Sequence, residues 1–172
     1  MARMRRIHVS LIGGEHQFLH IVPVAAWLSR QDGVSVRLFA ANARAAQAAS
    51  EMMRQLDAGP FACDVLDDAP APRLWRKLFR KFAAKPVALL GSSRRLRACD
   101  AMLVSERTTA LLARMPGRQP LYIRFTHGVG DREKGFNRKA RIFDYFIVAG
   151  EKYVDRFVEE GIAPRDHIFT CG

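Results

Sequence analysis

Apolar residues recur along this chain in two alternating rhythms: short apolar runs, and longer stretches in which apolar positions return every three or four residues. The first run covers residues 7–12 and stops at Gly13-Gly14. Helical spacing follows over residues 17–31, with Leu19, Val22, Ala26 and Trp27 expected on the buried side. Pro23 lies inside that pattern, so the helix is expected to bend there or to start later. Gly33 ends it, and residues 34–40 read as a second strand. Asn42 is placed to cap a helix running to about residue 56, and residues 62–66 form a short third strand. Acids and prolines then make a loop of "DDAPAP". A cationic helix is expected from about residue 73, broken at Pro86, with a second helical piece over 87–97. Strands follow at 101–105, 120–126 and 143–149, with helices at 108–115 and 151–160. Gly161 closes the last helix, and residues 167–171 begin a final strand.

Strand and helix therefore alternate to the end, and the strands are mostly continuous apolar runs. Strands buried on both faces look like this, and parallel sheets bury both faces. The expected fold class is α/β: one Rossmann-like domain over residues 1–172, with a doubly wound, mainly parallel sheet of about six or seven strands. All carboxyl ends of such a sheet share one edge, where ligands bind. Polar clusters follow several strands: Gly13-Gly14-Glu15-His16, Ser105-Glu106-Arg107, Thr126-His127-Gly128 and Gly150-Glu151. They are expected to gather on that edge.

Composition narrows the classes. Nearly half of the 172 residues are hydrophobic, which excludes a disordered chain. No apolar run approaches the roughly 18 residues that span a bilayer. The cationic start resembles a signal peptide, but its apolar run is short and Glu15 and His16 follow at once. Cys63, Cys99 and Cys171 have no metal or disulfide spacing, which fits a reducing, cytoplasmic setting. The net charge of +11 is concentrated: residues 73–97 carry nine cations and no acid. One basic block points to one anionic surface rather than to general nucleic-acid binding. Within it, Trp75, Leu78, Phe79 and Phe82 share a helical face, opposed by Arg76, Lys77, Arg80 and Lys81. That pattern suits contact with an anionic membrane as well as it suits core packing. Nucleic acid would want the aromatics exposed as a platform.

Among candidate chemical groups, His127 is expected at a strand end, with Gly128 leaving room for a substrate beside the ring. A neutral imidazole there can take a proton from a hydroxyl nucleophile. Gly13 and Gly14 could receive a phosphate or acceptor at a helix start, with Glu15, His16 and Glu106 lining the cleft. The dinucleotide fingerprint is missing: no third glycine follows, and Phe39-Ala40-Ala41 stands where an acid should be. His16 and His20 lie one helical turn apart without further ligands, so no metal site is expected. His8 and His167 fall within strand runs and read as structural.

"THGVGDREKG" and "FDYFIVAGEKYVDRFVEEGIAPRDHIFTCG" resemble bacterial CDP-glycerol glycerophosphotransferases and related GT-B transferases. The opening "HVSLIGGEHQFLHIVPVAAWLSRQ" is similar to the first strand and helix of GT-B acceptor domains. Thr126 stands where the glycerophosphotransferases often have Trp, so a sugar donor fits as well as CDP-glycerol. The resemblance implies that His127 is the base that activates an acceptor hydroxyl. It implies the acceptor-side half of a longer two-domain protein, whose absent C-terminal domain binds the donor. No tightly held cofactor is implied; CDP-glycerol or a nucleotide sugar is the substrate. The acceptor would be an envelope polymer or a lipid-linked molecule, met at the inner face of the cell membrane. The alternatives are a non-catalytic basic module binding nucleic acid or anionic partners, and half of a sugar-nucleotide epimerase.

Overall fold

The computed structural model of the chain describes residues 3–66, 84–126 and 138–171. Among these, seven strands form one sheet: β1 (Arg5–Leu11), β2 (Val34–Ala40), β3 (Phe61–Val65), β4 (Ala101–Val104), β5 (Leu121–Phe125), β6 (Tyr145–Val148) and β7 (Ile168–Thr170). They lie in the order β3-β2-β1-β4-β5-β6-β7, and every neighbouring pair is parallel. The doubly wound sheet expected from the apolar runs is present, and its order reverses between β1 and β4.

Six described α-helices accompany it: α1 (Phe18–Ser29), α2 (Ala43–Gln55), α3 (Ala84–Gly91), α4 (Ser93–Leu96), α5 (Ala110–Ala113) and α6 (Glu151–Glu159). Successive strand residues point to opposite faces, so the sheet splits the core in two. Val9, Leu38 and Leu103 pack with Ile21 and Val22 of α1 and Met53 of α2. Phe39, Val104, Tyr122 and Phe146 pack on the other face with Leu89, Leu96, Leu112 and Phe157. Among the described residues, no helix is long and apolar enough to cross a membrane.

Local rules explain most boundaries. Asn42 Oδ1 accepts from Ala45 N at 2.9 Å, which caps α2 as its sequence position suggests. Gly33, at φ +74°, reverses the chain into β2 without the strain a side chain would meet. Of the two alternatives for Pro23, a later start is excluded: α1 begins at Phe18 and contains it. Pro23 and Leu19 are exposed, so water can serve the Leu19 carbonyl that Pro23 cannot reach. Likewise α3 runs through Pro86, its third described residue, instead of beginning after it. The buried side of α1 also differs from expectation. Val22 and Ala26 are inside, but Leu19 and Trp27 are 67% and 55% exposed. The buried set is Phe18, Ile21, Val22, Ala25, Ala26 and Ser29. At about 100° per residue this stripe leaves Trp27 on the far side of the helix. The expected loop "DDAPAP" and the cationic face with Trp75, Arg76, Lys77, Arg80 and Lys81 lie outside the described residues.

Two aspartates lace the amino edge of the sheet. Asp100, just before β4, accepts from Arg6 N at 2.9 Å and from Arg3 Nη2 at 2.6 Å. Its backbone N–H donates to Arg6 O, and its carbonyl accepts from Leu121 N. Asp144, just before β6, accepts from Tyr122 N at 2.7 Å and returns its own N–H to Tyr122 O. Its carbonyl stands 2.9 Å from Nδ1 of His167, beside β7. Five strands are tied together at that edge by two side chains and their own backbone groups.

Two predictions follow from this packing. Phe146 is fully buried, with its ring 4.9 Å from that of Phe157 and 6.3 Å from that of Phe143. Phe146→Ala should cost about 3–5 kcal/mol, read as a lowered urea midpoint. His8 is buried and its Nδ1 stands 2.7 Å from the Leu96 carbonyl. Burial holds its pKa below the ordinary 6.5, against the opposing pull of that hydrogen bond. The unfolded chain takes up a proton that the folded chain refuses. Stability from this source is therefore full above pH 6.5 and falls as pH drops through the depressed folded value. Urea titrations across pH 7.5 to 5, roughly spanning that window, should show the loss in the native chain and not in His8→Gln.

Candidate functional site

The reversal of strand order between β1 and β4 opens the carboxyl edge there, because the connections leaving the two strands depart to opposite faces. β1 leads through Ile12-Gly13-Gly14 into a 3-10 turn, Glu15–Gln17, that feeds α1. β4 leads through Ser105-Glu106 into a second turn, Arg107–Thr109, that feeds α5. A single side chain joins the two segments. Buried Gln17 accepts from Ser105 Oγ at 2.7 Å through Oε1 and donates through Nε2 to Glu106 Oε1 at 2.9 Å. The carboxylate of Glu106 is thereby oriented at the crevice. Gly13 is required for this arrangement, since a Cβ there would stand 1.8 Å from Gln17 Oε1.

The sequence candidates divide accordingly. Gly13, Gly14, Glu15, His16 and Glu106 all lie on this edge, and Glu106 meets the β1 segment through Gln17. Glu15 is engaged by Arg44 of α2 at 3.0 Å, in an exposed pair. His16 is exposed beside Gly14. His127 and Gly128, expected to follow β5, lie outside the described residues. Thr126 marks where β5 ends, its N–H and hydroxyl both on the Ile147 carbonyl at 3.0 and 3.3 Å. Glu151, after β6, pairs with Arg165 at 2.7 Å. The described members of the four polar clusters share one edge, but that of β6 is three strands from β1, about 15 Å away. They form a row rather than one convergent site.

Next to Glu106 a cavity of about 460 Å³ opens between the turn after β4 and the segment 138–143. Glu106, Arg107, Arg114 and Lys139 line it, with Leu111 and Phe143 as apolar walls. Below Phe143 stands Arg124 of β5, its guanidinium carbon 5.5 Å from the ring centroid. Arg124 is only 5% exposed, and among the described residues its Nε and Nη1 have no hydrogen-bond partner. Sequence reasoning passed over Gln17, Arg114, Lys139 and Arg124. A signal for Arg124 was present: an arginine inside "LYIRF", in a strand buried on both faces, is an expensive placement. Among the described residues, no group of histidines, cysteines and carboxylates is arranged to hold a metal ion.

No protein-family model matches the chain, and no curated protein does. Solved structures share the fold. A protein from Listeria monocytogenes described as a UDP-N-acetylglucosamine 2-epimerase superposes with a TM-score of 0.63 at 13% identity, over 98% of this chain and 45% of its own. Another UDP-N-acetylglucosamine 2-epimerase gives 0.60 at 13% identity, over 98% and 46%. Anabaena Alr3699/HepE, solved with UDP and glucose, gives 0.54 at 12% identity, over 96% and 43%. The chain has the fold of somewhat less than half of each of these proteins.

The link at the crevice is directly testable. Gln17→Ala leaves the buried Ser105 hydroxyl without its acceptor and Glu106 without one donor. It should cost about 1–3 kcal/mol in urea unfolding. Gly13→Ala should cost a similar amount, because the new methyl displaces the Gln17 amide.

Proposed function

We propose that the chain is the acceptor-side half of a transferase that moves a glycosyl or glycerol-phosphate group from a nucleotide-activated donor to an acceptor hydroxyl. The observation that carries this reading is the superposition of nearly the whole chain on less than half of two UDP-N-acetylglucosamine 2-epimerases and of a protein solved with UDP and glucose. The rest of such a cleft, and the contacts to the nucleotide, would come from a second α/β unit. His127 is the proposed general base. In the sequence it follows Thr126 directly, and Thr126 stands at the end of β5, the strand next to β4. Glu106, oriented by Gln17, would accept from another hydroxyl of the same acceptor. The acid-free cationic stretch 73–97 supports an acceptor met at an anionic surface, such as a lipid-linked molecule or envelope polymer on a membrane.

A second reading, half of a sugar-nucleotide epimerase, is favoured by two of the three neighbours. The two reactions separate cleanly in an assay. Full-length protein is incubated with CDP-glycerol and a panel of nucleotide sugars, with and without acceptor. A transferase releases free nucleotide in step with acceptor consumption. An epimerase converts the nucleotide sugar to its epimer with no acceptor present. On the transferase reading His127→Ala lowers turnover by about 10²–10⁴ and leaves the unfolding midpoint nearly unchanged. Native turnover in that variant removes His127 from the chemistry.

A further inference from the structure

The buried arginine and the cavity above it require a common explanation. Arg124 shares its side of β5 with Tyr122, which packs in one cluster with Ala140 and Phe143. Ala140 and Phe143 are also part of the cavity wall. Arg124 therefore reaches the underside of that wall, with the Phe143 ring against its guanidinium. Among the described residues, its Nε and Nη1 have no acceptor. Burial first, and the nearby charge of Arg107 second, bring its pKa down to about 10 against the opposing pull of Glu106. At neutral pH it stays a cation. A charge kept dry and incompletely paired costs stability unless something else is gained. Above it, among the described lining residues, Arg107, Arg114 and Lys139 outnumber the carboxylate of Glu106. The field of this pocket is strongly positive, and low-dielectric walls focus it.

The geometry points to a subsite for the phosphate group of a phosphorylated, hydroxyl-bearing acceptor, in the cavity between Arg107, Arg114 and Lys139, with Arg124 buried behind its Phe143 wall as a further positive charge. Arginine suits phosphate because its planar fork presents paired donors to two oxygens. Glu106, an acceptor-only group on the same wall, suits a hydroxyl of the polyol or sugar that carries the phosphate. Leu111 and Phe143 offer an apolar face to its ring or chain. A volume near 460 Å³ lies within the ordinary range of small-ligand sites. Assigning the ligand to the acceptor rests on the transferase reading; phosphate capture itself does not.

The test measures binding to the chain, without any transfer assay. Inorganic phosphate, glucose 6-phosphate, glucose and UDP are titrated calorimetrically at fixed ionic strength, with chloride as the matched salt. Phosphate and glucose 6-phosphate are expected to bind, glucose 6-phosphate more tightly. Glucose and UDP should bind at least about tenfold more weakly than glucose 6-phosphate. Arg124→Met, which keeps the length of the side chain and removes the charge, should weaken glucose 6-phosphate about tenfold or more. It should unfold at a temperature no lower than the native chain. Affinity retained in Arg124→Met, or phosphate heats no larger than those of chloride, overturns the subsite. UDP binding more tightly than glucose 6-phosphate, and displacing it, overturns the acceptor assignment in favour of a donor diphosphate. Should Arg124→Met fail to fold, exposed Arg114→Gln decides: a tenfold loss supports the subsite and native affinity overturns it. Because no turnover is measured, a failure here leaves the transferase reading standing, and a failed transfer assay leaves phosphate capture standing.

Discussion

Parallel pairing is the constraint on which everything else in this molecule depends. Two parallel strands cannot be joined by a tight turn, so each connection must climb over a face of the sheet. The helices that make those crossings bury both faces, which is why the strand segments are so uniformly apolar. Seven strands in one direction also place every carboxyl end on one edge. Among the described connections, those leaving β1 and β4 diverge, and they flank the gap between these two strands. The crevice is thus a consequence of winding, before any residue in it has been chosen.

What the chain places there follows a different economy. Gln17 is a buried amide whose oxygen and nitrogen are both used, one on Ser105 and one on Glu106. Such a link is nearly neutral for stability when complete and costly when half-made. It holds two segments that are 88 residues apart in sequence. Arg124 shows the opposite balance. Its apolar surroundings and the Phe143 ring compensate only part of its desolvation, and its nitrogens without a partner among the described residues are a standing cost. A core selected for stability alone would hold a methionine or leucine at that position.

Legibility from sequence follows the same division. Order, direction and class of the elements were readable because burying both faces forces a period and a composition on each strand. The Asn42 cap was readable because capping is local. Pro86 misled, since a helix can carry a proline through where its lost hydrogen bond is otherwise served. Leu19 and Trp27 misled because hydrophobicity was read without the phase of the buried stripe. The carboxyl edge was readable as a place, and Gly13, Gly14, Glu15, His16 and Glu106 all stand on it. Their partners were not readable. Gln17 lies at the end of a loop where a polar residue attracts no notice, and nothing near it in the chain anticipates Ser105 or Glu106. The cations of the cavity come from two separate segments, and only the folded sheet puts Arg107, Arg114 and Lys139 around one volume.

Asp100 and Asp144 lie at the edge opposite all of this. Between them they fix the starts of five strands, using contacts that involve no residue of the carboxyl edge. Alignment is therefore set at one end of the sheet and recognition at the other. Loops after β1, β4, β5 and β6 can lengthen, shorten or exchange residues while the strands stay aligned from their starts. Such a domain is suited to diversification: one end tolerates experiment across generations because the other holds the frame.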